Sequence, residues 1–304
     1  MRRLLAVQAQ DLRAARLAIR ARTPGVTAAE VDRLLTDGSL VVGWLLRGTL
    51  HLVPAEDYRW LLTLTAPTRL ATNRRRLGQE GVSPDDAERA VATIERHLAD
   101  EGPLTRGELA TRLAAEGIRT EGQAMHHLLV LAALRGVAVL GPVRDDRQAF
   151  VLARDWLGPP KPVDRDAAVA ELGRRYLAAH APAAPADLAR WSGLALRDAR
   201  RLPAGSLGPP PVAPPPRLLG AFDPYLLGWK DRSFAVPAEH ARRVHPGGGV
   251  LRAVATVDGV VAGTWTLRRG EVRVEPFATL EPEDEAALAV EAGDLARFEG
   301  NVEP

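Results

Sequence analysis

Two similar strings of residues lie 79 positions apart, and this repeat constrains the fold more than any other feature of the sequence. Residues 103–110 read PLTRGELA and residues 182–189 read PAAPADLA, so proline, an acidic residue, leucine and alanine recur at matching offsets. Each string follows a longer amphipathic segment, at residues 83–100 and 164–180. A recurrence at this spacing indicates tandem modules of roughly 80 residues.

The first copy predicts three helices followed by a two-stranded hairpin. Thr105 and Glu108 have the spacing of a capping box, and Ser83 followed by proline is a typical helix start. The predicted elements are helices at 83–100, 105–115 and from near Thr120 to Gly136, then strands at 137–140 and 148–153 around Gly141-Pro142 and a polar loop at 144–147. This order is typical of a winged helix, whose third helix enters the major groove of DNA. A module that serves packing alone is the alternative.

The N-terminal segment predicts a further helix with a wing. Thr27 begins a helix that reaches Leu35, and strands at 40–46 and 49–53 turn at Arg47-Gly48. The end of a winged helix is therefore expected here as well.

A long helix is predicted to follow from Ala55. Pro67 is expected to interrupt this helix, which then ends in Arg74, Arg75 and Arg76. The three arginines can contact phosphate, or they can simply complement the helix dipole at a solvated end.

The composition changes beyond residue 203. Residues 203–216 are rich in proline, and the triplets 209–211 and 214–216 are predicted to adopt an extended polyproline conformation. Asp258-Gly259 between apolar runs is a strong hairpin signal. The predicted elements are strands at 251–257, 260–267 and 272–277 and an acidic helix at 281–299. These strands indicate a small antiparallel sheet or barrel.

Composition excludes several classes of protein. The 304-residue chain has no cysteine, which excludes disulfides and thiolate zinc sites and fits a reducing compartment. No apolar run approaches the length of a membrane span, and the stretch after Met1 is too short for a signal peptide, so we expect a cytoplasmic protein. The net charge is only +2, and the basic residues are almost all arginine. Arginine suits phosphate contacts, but a GC-rich genome produces the same excess.

The common catalytic motifs are absent from the sequence. His126 and His127 would point about 100° apart on a helix and make a poor metal site, so we expect no metal and no cofactor. One polar pair remains, Gln8 and Gln10, on either side of Ala9. Their amides share a face only where the backbone is extended or turning. A polar N-terminal loop without function is the alternative.

Four strings resemble the AlkZ/YcaQ family of bacterial winged-helix DNA glycosylases, which act on alkylated bases and interstrand crosslinks. The strings are LAVQAQD at 5–11, LRGTLHLV at 46–53, FDPYLLGWKDRS at 222–233 and PGGGVLR at 246–252. They follow the family order over nearly the whole chain, and the longer strings are specific. The sequence departs from the family in having only seven residues before Gln8, where relatives usually carry a further helical segment.

The resemblance implies an α+β chain of three tandem winged-helix domains followed by a small C-terminal antiparallel β-barrel, which together form a C-shaped clamp on double-stranded DNA. The corresponding domains are winged helix 1 at 1–82, winged helix 2 at 83–160, winged helix 3 with a proline-rich linker at 161–216, and the barrel with its acidic helix at 217–304. The resemblance also implies that Gln8 and Gln10 are catalytic. We expect Gln10 to orient a water and Gln8 to fix that water or contact the deoxyribose.

We expect DNA contacts from both hairpins, the long helix, the second recognition helix and the segment before the barrel. The residues are Arg47, Thr49, His51, Arg74, Arg75, Arg76, Arg119, Gln123, His127, Arg144, Arg147, Lys230 and Arg232. For His51 the alternative is packing on the protein, and for residues 230–232 it is a local ion-pair cluster.

The expected function is hydrolysis of the N-glycosidic bond of cationic N7-alkylated purines, including interstrand crosslinks, in DNA repair or self-resistance. An N7-alkylated guanine already carries positive charge, so it leaves as a neutral base without a general acid, and amides can position the water. The enzyme is expected to be monomeric and nucleoid-associated. The alternatives are a non-catalytic DNA-binding protein, such as a transcriptional regulator, and a module that uses winged helices for protein contacts.

Overall fold

The computed structural model describes residues 1–144, 147–201 and 214–300, in which the helices pack against two antiparallel sheets. The helices are α1 Leu12–Arg20, α2 Ala28–Thr36, α3 Ala55–Gln79, α4 Pro84–Glu101, α5 Arg106–Ala115, α6 Ala124–Leu134, α7 Ala153–Leu157, α8 Arg165–His180, α9 Pro185–Ser192, α10 Leu196–Ala199, α11 Pro224–Leu227, α12 Ala241–Val244 and α13 Pro282–Phe298. The strands are β1 Val7–Gln8, β2 Leu40–Trp44, β3 Leu50–Pro54, β4 Leu104–Thr105, β5 Ala138–Arg144, β6 Arg147–Leu152, β7 Arg217–Leu219, β8 Val254–Val257, β9 Val260–Arg268 and β10 Glu271–Pro276. The predicted mixture of helices and antiparallel strands is confirmed. None of the described helices is long and apolar enough to cross a membrane.

One sheet joins the two predicted wings. Its strand order is β1-β3-β2-β5-β6-β4, and β2 pairs with β5 so that Val42 lies opposite Leu140. The predicted turn at Arg47-Gly48 connects β2 to β3. One buried core extends from Leu5 in the first module to Ala199 after α9. The predicted modules therefore share a core and do not form separate bodies.

The predicted helix starts carry the expected capping groups. Thr27 and Thr105 each accept a hydrogen bond from a backbone N–H of the first turn, and Glu30 and Glu108 accept one in return. The Ser83 side chain caps α4 in the same way, by accepting from the Asp86 N–H. These local signals fix the first turns of α2, α4 and α5 as the sequence predicts.

The start of α6 differs from the prediction. The helix begins at Ala124 and not near Thr120. Gly122 has a left-handed φ of 61°, which interrupts any helix through this position, and Glu80 accepts a hydrogen bond of 3.0 Å from the Gln123 N–H.

The first strand of the second wing is longer than predicted. β5 continues past Leu140 through Gly141-Pro142, with a register shift in its pairing to β6 at this point. A β-carbon on Gly141 would lie 2.7 Å from the Trp156 ring, so the strand passes against that ring where only glycine fits. Glycine here therefore permits a close packing contact and does not mark a turn.

The predicted interruption at Pro67 is wrong, because α3 continues for 25 residues from Ala55 to Gln79. Proline removes the N–H that would bond to the carbonyl of Thr63, four residues earlier. Thr63 and Pro67 both lie on the exposed face of α3, where water can satisfy that carbonyl. Residues 74–76 consequently lie within the helix.

The C-terminal strands form a four-stranded sheet in the order β10-β9-β8-β7. The predicted hairpin at Asp258-Gly259 is confirmed, and both residues have the positive φ, 49° and 79°, that a type I′ turn requires. In the described residues the sheet is open, with β7 and β10 at its edges, whereas a closed barrel is predicted. The predicted acidic helix is present as α13 and contacts both edge strands, so a helix covers the side that strand pairing would close.

The polyproline prediction for residues 209–211 lies outside the described residues, and residues 214–216 have no regular secondary structure.

Helix α1 docks the C-terminal sheet onto the first module. Leu17 packs in the same buried cluster as Trp265. Arg20 is 4% exposed, and its guanidinium donates to Asp294 at 2.7 Å and to Glu291 at 3.1 Å, both on α13. Because α1 begins two residues after Gln10, this docking also fixes the backbone beside the two glutamines.

Candidate active site

The side chains of Gln8 and Gln10 meet at the edge of the six-stranded sheet. Gln8 Nε2 donates a hydrogen bond of 2.6 Å to Gln10 Oε1. β1 pairs with β3 so that Gln8 lies opposite His51, and the Ala9 N–H donates to the Leu50 carbonyl at 2.8 Å. The backbone is therefore extended here, which meets the condition under which the two amides share a face.

The two glutamines differ in exposure. Gln8 is half-buried, whereas Gln10 is exposed to solvent. Asp11 follows directly, but its carboxylate caps α1 by accepting a 3.1 Å hydrogen bond from the Ala14 N–H. A DNA strand can therefore reach Gln10, and the adjacent carboxylate is already engaged as a helix cap.

Arg47 holds Gln8 from the other side. Its Nη2 donates to Gln8 Oε1 at 2.9 Å, and its Nη1 donates to the Trp191 carbonyl of α9 at 2.6 Å. The Arg47 backbone has a left-handed φ of 54° in the turn between β2 and β3. The Arg47 side chain thus connects the β2–β3 hairpin, the glutamine pair and α9.

Four arginines form a basic cluster: Arg47, which bonds to Gln8, and the three whose charges act on Arg47, namely Arg69, Arg190 and Arg232. Burial, and then the positive charge of the other three, lowers the pKa of Arg47 to about 10, so it stays charged at neutral pH. Among the described residues no carboxylate forms an ion pair with any of the four. Arg47 donates to the Trp191 carbonyl and to Gln8, and Arg232 donates to the Leu226 carbonyl. The site is therefore electropositive and suited to a polyanion.

The structure corrects the prediction that His51 contacts DNA, because this residue is buried and only 2% exposed. Its Nδ1–H donates to the Thr49 carbonyl at 2.9 Å. Burial, reinforced by the Arg47 charge, lowers the pKa of His51 to about 3. The imidazole is therefore neutral and packed beneath the hairpin, where it supports the strand that pairs with Gln8.

We expect the protein to lose stability in mild acid, because two of its histidines are buried. Burial lowers the pKa of His180 to about 4 and that of His51 to about 3, both below the value of about 6.5 in an unfolded chain. Protons therefore bind the unfolded chain first, and stability falls as the pH drops below about 6.5. Between pH 7 and pH 5.5 we expect the free energy of unfolding to fall by about 1 kcal/mol for each histidine, measured by urea denaturation.

His51→Gln should remove the share of this pH dependence that His51 contributes, about 1 kcal/mol between pH 7 and pH 5.5. An undiminished pH dependence in His51→Gln would show that His51 titrates normally in the folded protein.

A cavity of about 180 Å³ brings residues of three predicted contact regions together. Gly48 of the first hairpin, Arg69 and Arg76 of α3 and His127 of α6 all line it. Asn73 donates to the His127 carbonyl at 2.9 Å and bonds to the His127 ring at the same distance. The β2–β3 hairpin and α6 therefore border one continuous surface.

The remaining predicted contacts lie at the surface or bond within their own segments. Exposed side chains are Arg74, Arg75, Arg76, Arg119, Gln123, Arg144, Arg147 and Lys230. Thr49 donates to the Leu46 carbonyl at 3.3 Å within its hairpin, and Arg232 is half-buried. The Asp231 carboxylate accepts hydrogen bonds from Ser233, and no ion pair forms within residues 230–232. Direct DNA contact by these side chains stays a prediction.

Two members of the basic cluster, Arg69 and Arg190, are not among the residues that the sequence predicts as DNA contacts. Arg69 lies seven residues before Arg76 and therefore on the same face of α3, so helical spacing from a predicted contact is the one signal in the sequence that points to it. Arg190 has no comparable local signal, since only the tertiary contact of Arg47 with Trp191 brings α9 to the site.

Comparisons with known proteins agree with this architecture. A family model described as DNA glycosylase AlkZ-like matches residues 1–209 and 201–298. The interstrand DNA cross-link repair glycosylase of Streptomyces sahachiroi is 31% identical over 336 aligned positions, which cover 98% of this chain and 89% of that protein. The solved structure of Streptomyces sahachiroi DNA glycosylase AlkZ matches with a TM-score of 0.76 and 28% identity, over 98% of this chain and 90% of that chain. This chain therefore belongs to the AlkZ-like DNA glycosylase family.

Proposed function

We propose that the protein hydrolyses the N-glycosidic bond of cationic N7-alkylated purines in duplex DNA, including purines joined in interstrand crosslinks. The observation that carries this proposal is the hydrogen-bonded pair of Gln8 and Gln10 beside the basic cluster. The Streptomyces sahachiroi relative, which is named as an interstrand cross-link repair glycosylase, supports the crosslink part of the substrate class.

The reaction needs positioning more than strong acids or bases. When the bond between C1′ and N9 breaks, its electron pair passes to the purine and neutralises the positive ring, so no general acid has to protonate the base. The sugar becomes positively charged, a water oxygen bonds to C1′, and the proton of that water passes to solvent. An abasic site and a free neutral base result.

Gln10 is suited to orient the attacking water. Its Oε1 accepts one hydrogen bond from Gln8, and a carbonyl oxygen has a second lone pair that can accept a hydrogen from water. Gln10 is also the more exposed of the two glutamines, and the water and the sugar approach from solvent. Gln8 fixes the Gln10 amide, so the oxygen dipole is in place before the sugar becomes charged.

Three members of the basic cluster, Arg69, Arg190 and Arg232, are suited to bind the phosphates that flank the damaged nucleotide, whereas the Arg47 guanidinium is engaged by Gln8 and the Trp191 carbonyl. Guanidinium groups without carboxylate partners attract phosphate and release counterions when they bind it. We extend this role to the surface formed by α3, α6 and the two wings, with Arg74, Arg75, Arg76, Arg119, Gln123, His127, Arg144, Arg147, Lys230 and Arg232 as contacts. The domains at 1–82, 83–160, 161–216 and 217–304 would then surround the duplex as a clamp, in a monomeric enzyme.

Two DNA substrates test this proposal. Purified protein is incubated with a duplex that contains one 7-methylguanine and with a nitrogen-mustard crosslinked duplex. We expect alkali-labile abasic sites in the first and separated strands in the second. A regulator that only binds DNA would leave both intact, and DNA affinity that does not fall with salt would exclude binding through arginine.

A further inference from the structure

We propose that Arg47 is a positioning residue, which sets the orientation of both catalytic amides through Gln8. This inference rests on the proposed function of the glutamine pair. It differs from the expected role of Arg47 as a DNA contact, because its guanidinium is already engaged by Gln8 and by the Trp191 carbonyl.

The guanidinium of Arg47 donates hydrogen bonds and accepts none. Arg47 Nη2 lies 2.9 Å from Gln8 Oε1, so the oxygen of the Gln8 amide must face the arginine. A rotation of the amide by 180° would place its NH₂ group against the guanidinium and lose this bond. Arg47 therefore selects one of the two orientations of Gln8.

The orientation of the Gln8 amide in turn fixes the orientation of the Gln10 amide. With its oxygen on Arg47, Gln8 presents Nε2 to Gln10 and donates to Gln10 Oε1 at 2.6 Å. The carbonyl of Gln10 is thus fixed toward Gln8, and its NH₂ group is directed away. Without Arg47 both amides could turn, and the oxygen that orients the water would occupy its position for only part of the time.

Arg47 is itself held by the end of α9. Trp191 is the penultimate residue of that helix, so its carbonyl lacks a partner within the helix and lies at the negative end of the helix dipole. Gly193, with a left-handed φ of 78°, packs so closely that a β-carbon there would lie 3.1 Å from the Arg47 Cα and N atoms. The third module therefore determines where the first wing holds its arginine.

Arg47→Lys separates this role from DNA binding. Lysine keeps the charge, but its single ammonium lacks the planar fork that spans Gln8 and the Trp191 carbonyl. At saturating enzyme we expect 7-methylguanine excision to slow by about 10- to 100-fold, while the dissociation constant for the same duplex changes by less than about threefold. Arg174→Lys, on the exposed surface of α8, is the matched control and should excise at the wild-type rate.

A double-variant cycle then distinguishes positioning from a general structural effect. In a Gln8→Ala background, Arg47→Lys should slow excision little further, because the residue through which it acts is gone. If Arg47→Lys lowers thermal stability too far for the assay, all proteins of the cycle are assayed at a lower temperature at which Arg47→Lys is folded.

The proposal is overturned if Arg47→Lys weakens DNA binding at an unchanged excision rate, leaves both unchanged, or multiplies the Gln8→Ala defect in full. A wild-type protein that excises no base overturns the proposed function instead. In that case the NMR signals of the Gln8 and Gln10 side-chain amides still test the contact. They should shift in Arg47→Lys while the backbone amides of β3 stay in place, and unchanged side-chain signals would exclude the contact.

Discussion

Gln10→Ala is expected to slow the excision of 7-methylguanine from duplex DNA by about 100- to 1,000-fold at saturating enzyme. Removal of one preorganised polar group aimed at a developing charge has an effect of this size in other hydrolases. Gln10 is exposed and bonds only through its side chain to Gln8, so stability and DNA affinity should stay close to those of the wild type. Single-turnover release of the free base measures the rate, and a binding titration at the same salt concentration measures affinity.

A matched control for this variant is available on α3. Gln79→Ala removes an exposed amide of the same chemistry from the end of that helix. Its side chain bonds to Arg76 at 3.2 Å and to neither glutamine, so at saturating enzyme the excision rate should stay unchanged. If Gln10→Ala excises at the wild-type rate, Gln10 does not orient the water.

Asp223→Ala is expected to lower the free energy of unfolding by about 3 kcal/mol. The Asp223 carboxylate is 1% exposed and accepts two hydrogen bonds from Arg22, at 2.6 and 2.9 Å, and one from the Tyr225 N–H at 2.8 Å. Its removal leaves the Arg22 charge without a partner at the junction between the first module and the C-terminal segment. Since the Arg22 side chain is 28% exposed, water recovers part of the loss, and the effect lies at the low end for buried pairs.

Urea denaturation at pH 7 measures this effect. Asp231→Ala, in the same string of residues, removes an exposed carboxylate that accepts hydrogen bonds from Ser233, and it should lower the free energy of unfolding much less than Asp223→Ala does. A loss in Asp223→Ala no larger than that of Asp231→Ala would mean that the buried pair does not hold this junction together.

Local elements could be predicted wherever the signal lies within one turn of the chain. The caps at Thr27, Ser83 and Thr105 depend on a side chain and an N–H three residues away, and all three are present. The Asp258-Gly259 turn depends on the positive φ values of two neighbouring residues, which the sequence also indicates. Such interactions form in the same way whatever surrounds them.

Predictions failed where the local structure depends on solvent exposure or on contacts between distant parts of the chain. Pro67 does not break α3 because the carbonyl that it leaves unbonded faces solvent, and the sequence does not reveal that exposure. The C-terminal sheet is open in the described residues, and α13 contacts its edge strand β7, which lies more than 60 positions earlier in the chain. His51 was expected to contact DNA, with packing on the protein as the alternative, and its 2% exposure agrees with the alternative.

In the candidate site, too, short-range features could be predicted from the sequence and long-range contacts could not. Gln8 and Gln10 were identified because the sequence resembles a family motif, and their mutual hydrogen bond follows from an extended backbone that the motif itself does not determine. The link from Arg47 to Trp191 spans 144 positions, so no local pattern predicts it. The residues that we propose to carry the chemistry can therefore be predicted from the sequence, whereas the residue that we propose to orient them required the structure.

The central claim is that the paired amides of Gln8 and Gln10 catalyse base excision. Its most direct test is a single-turnover assay of 7-methylguanine release by the wild-type protein and by the Gln8→Ala/Gln10→Ala variant, with DNA binding measured in parallel. We predict free 7-methylguanine and an alkali-labile strand with the wild type, and a rate at least about 100-fold lower with the variant at similar DNA affinity. Equal release rates for the two proteins, or a wild-type protein that binds the duplex and releases no base, would contradict the claim.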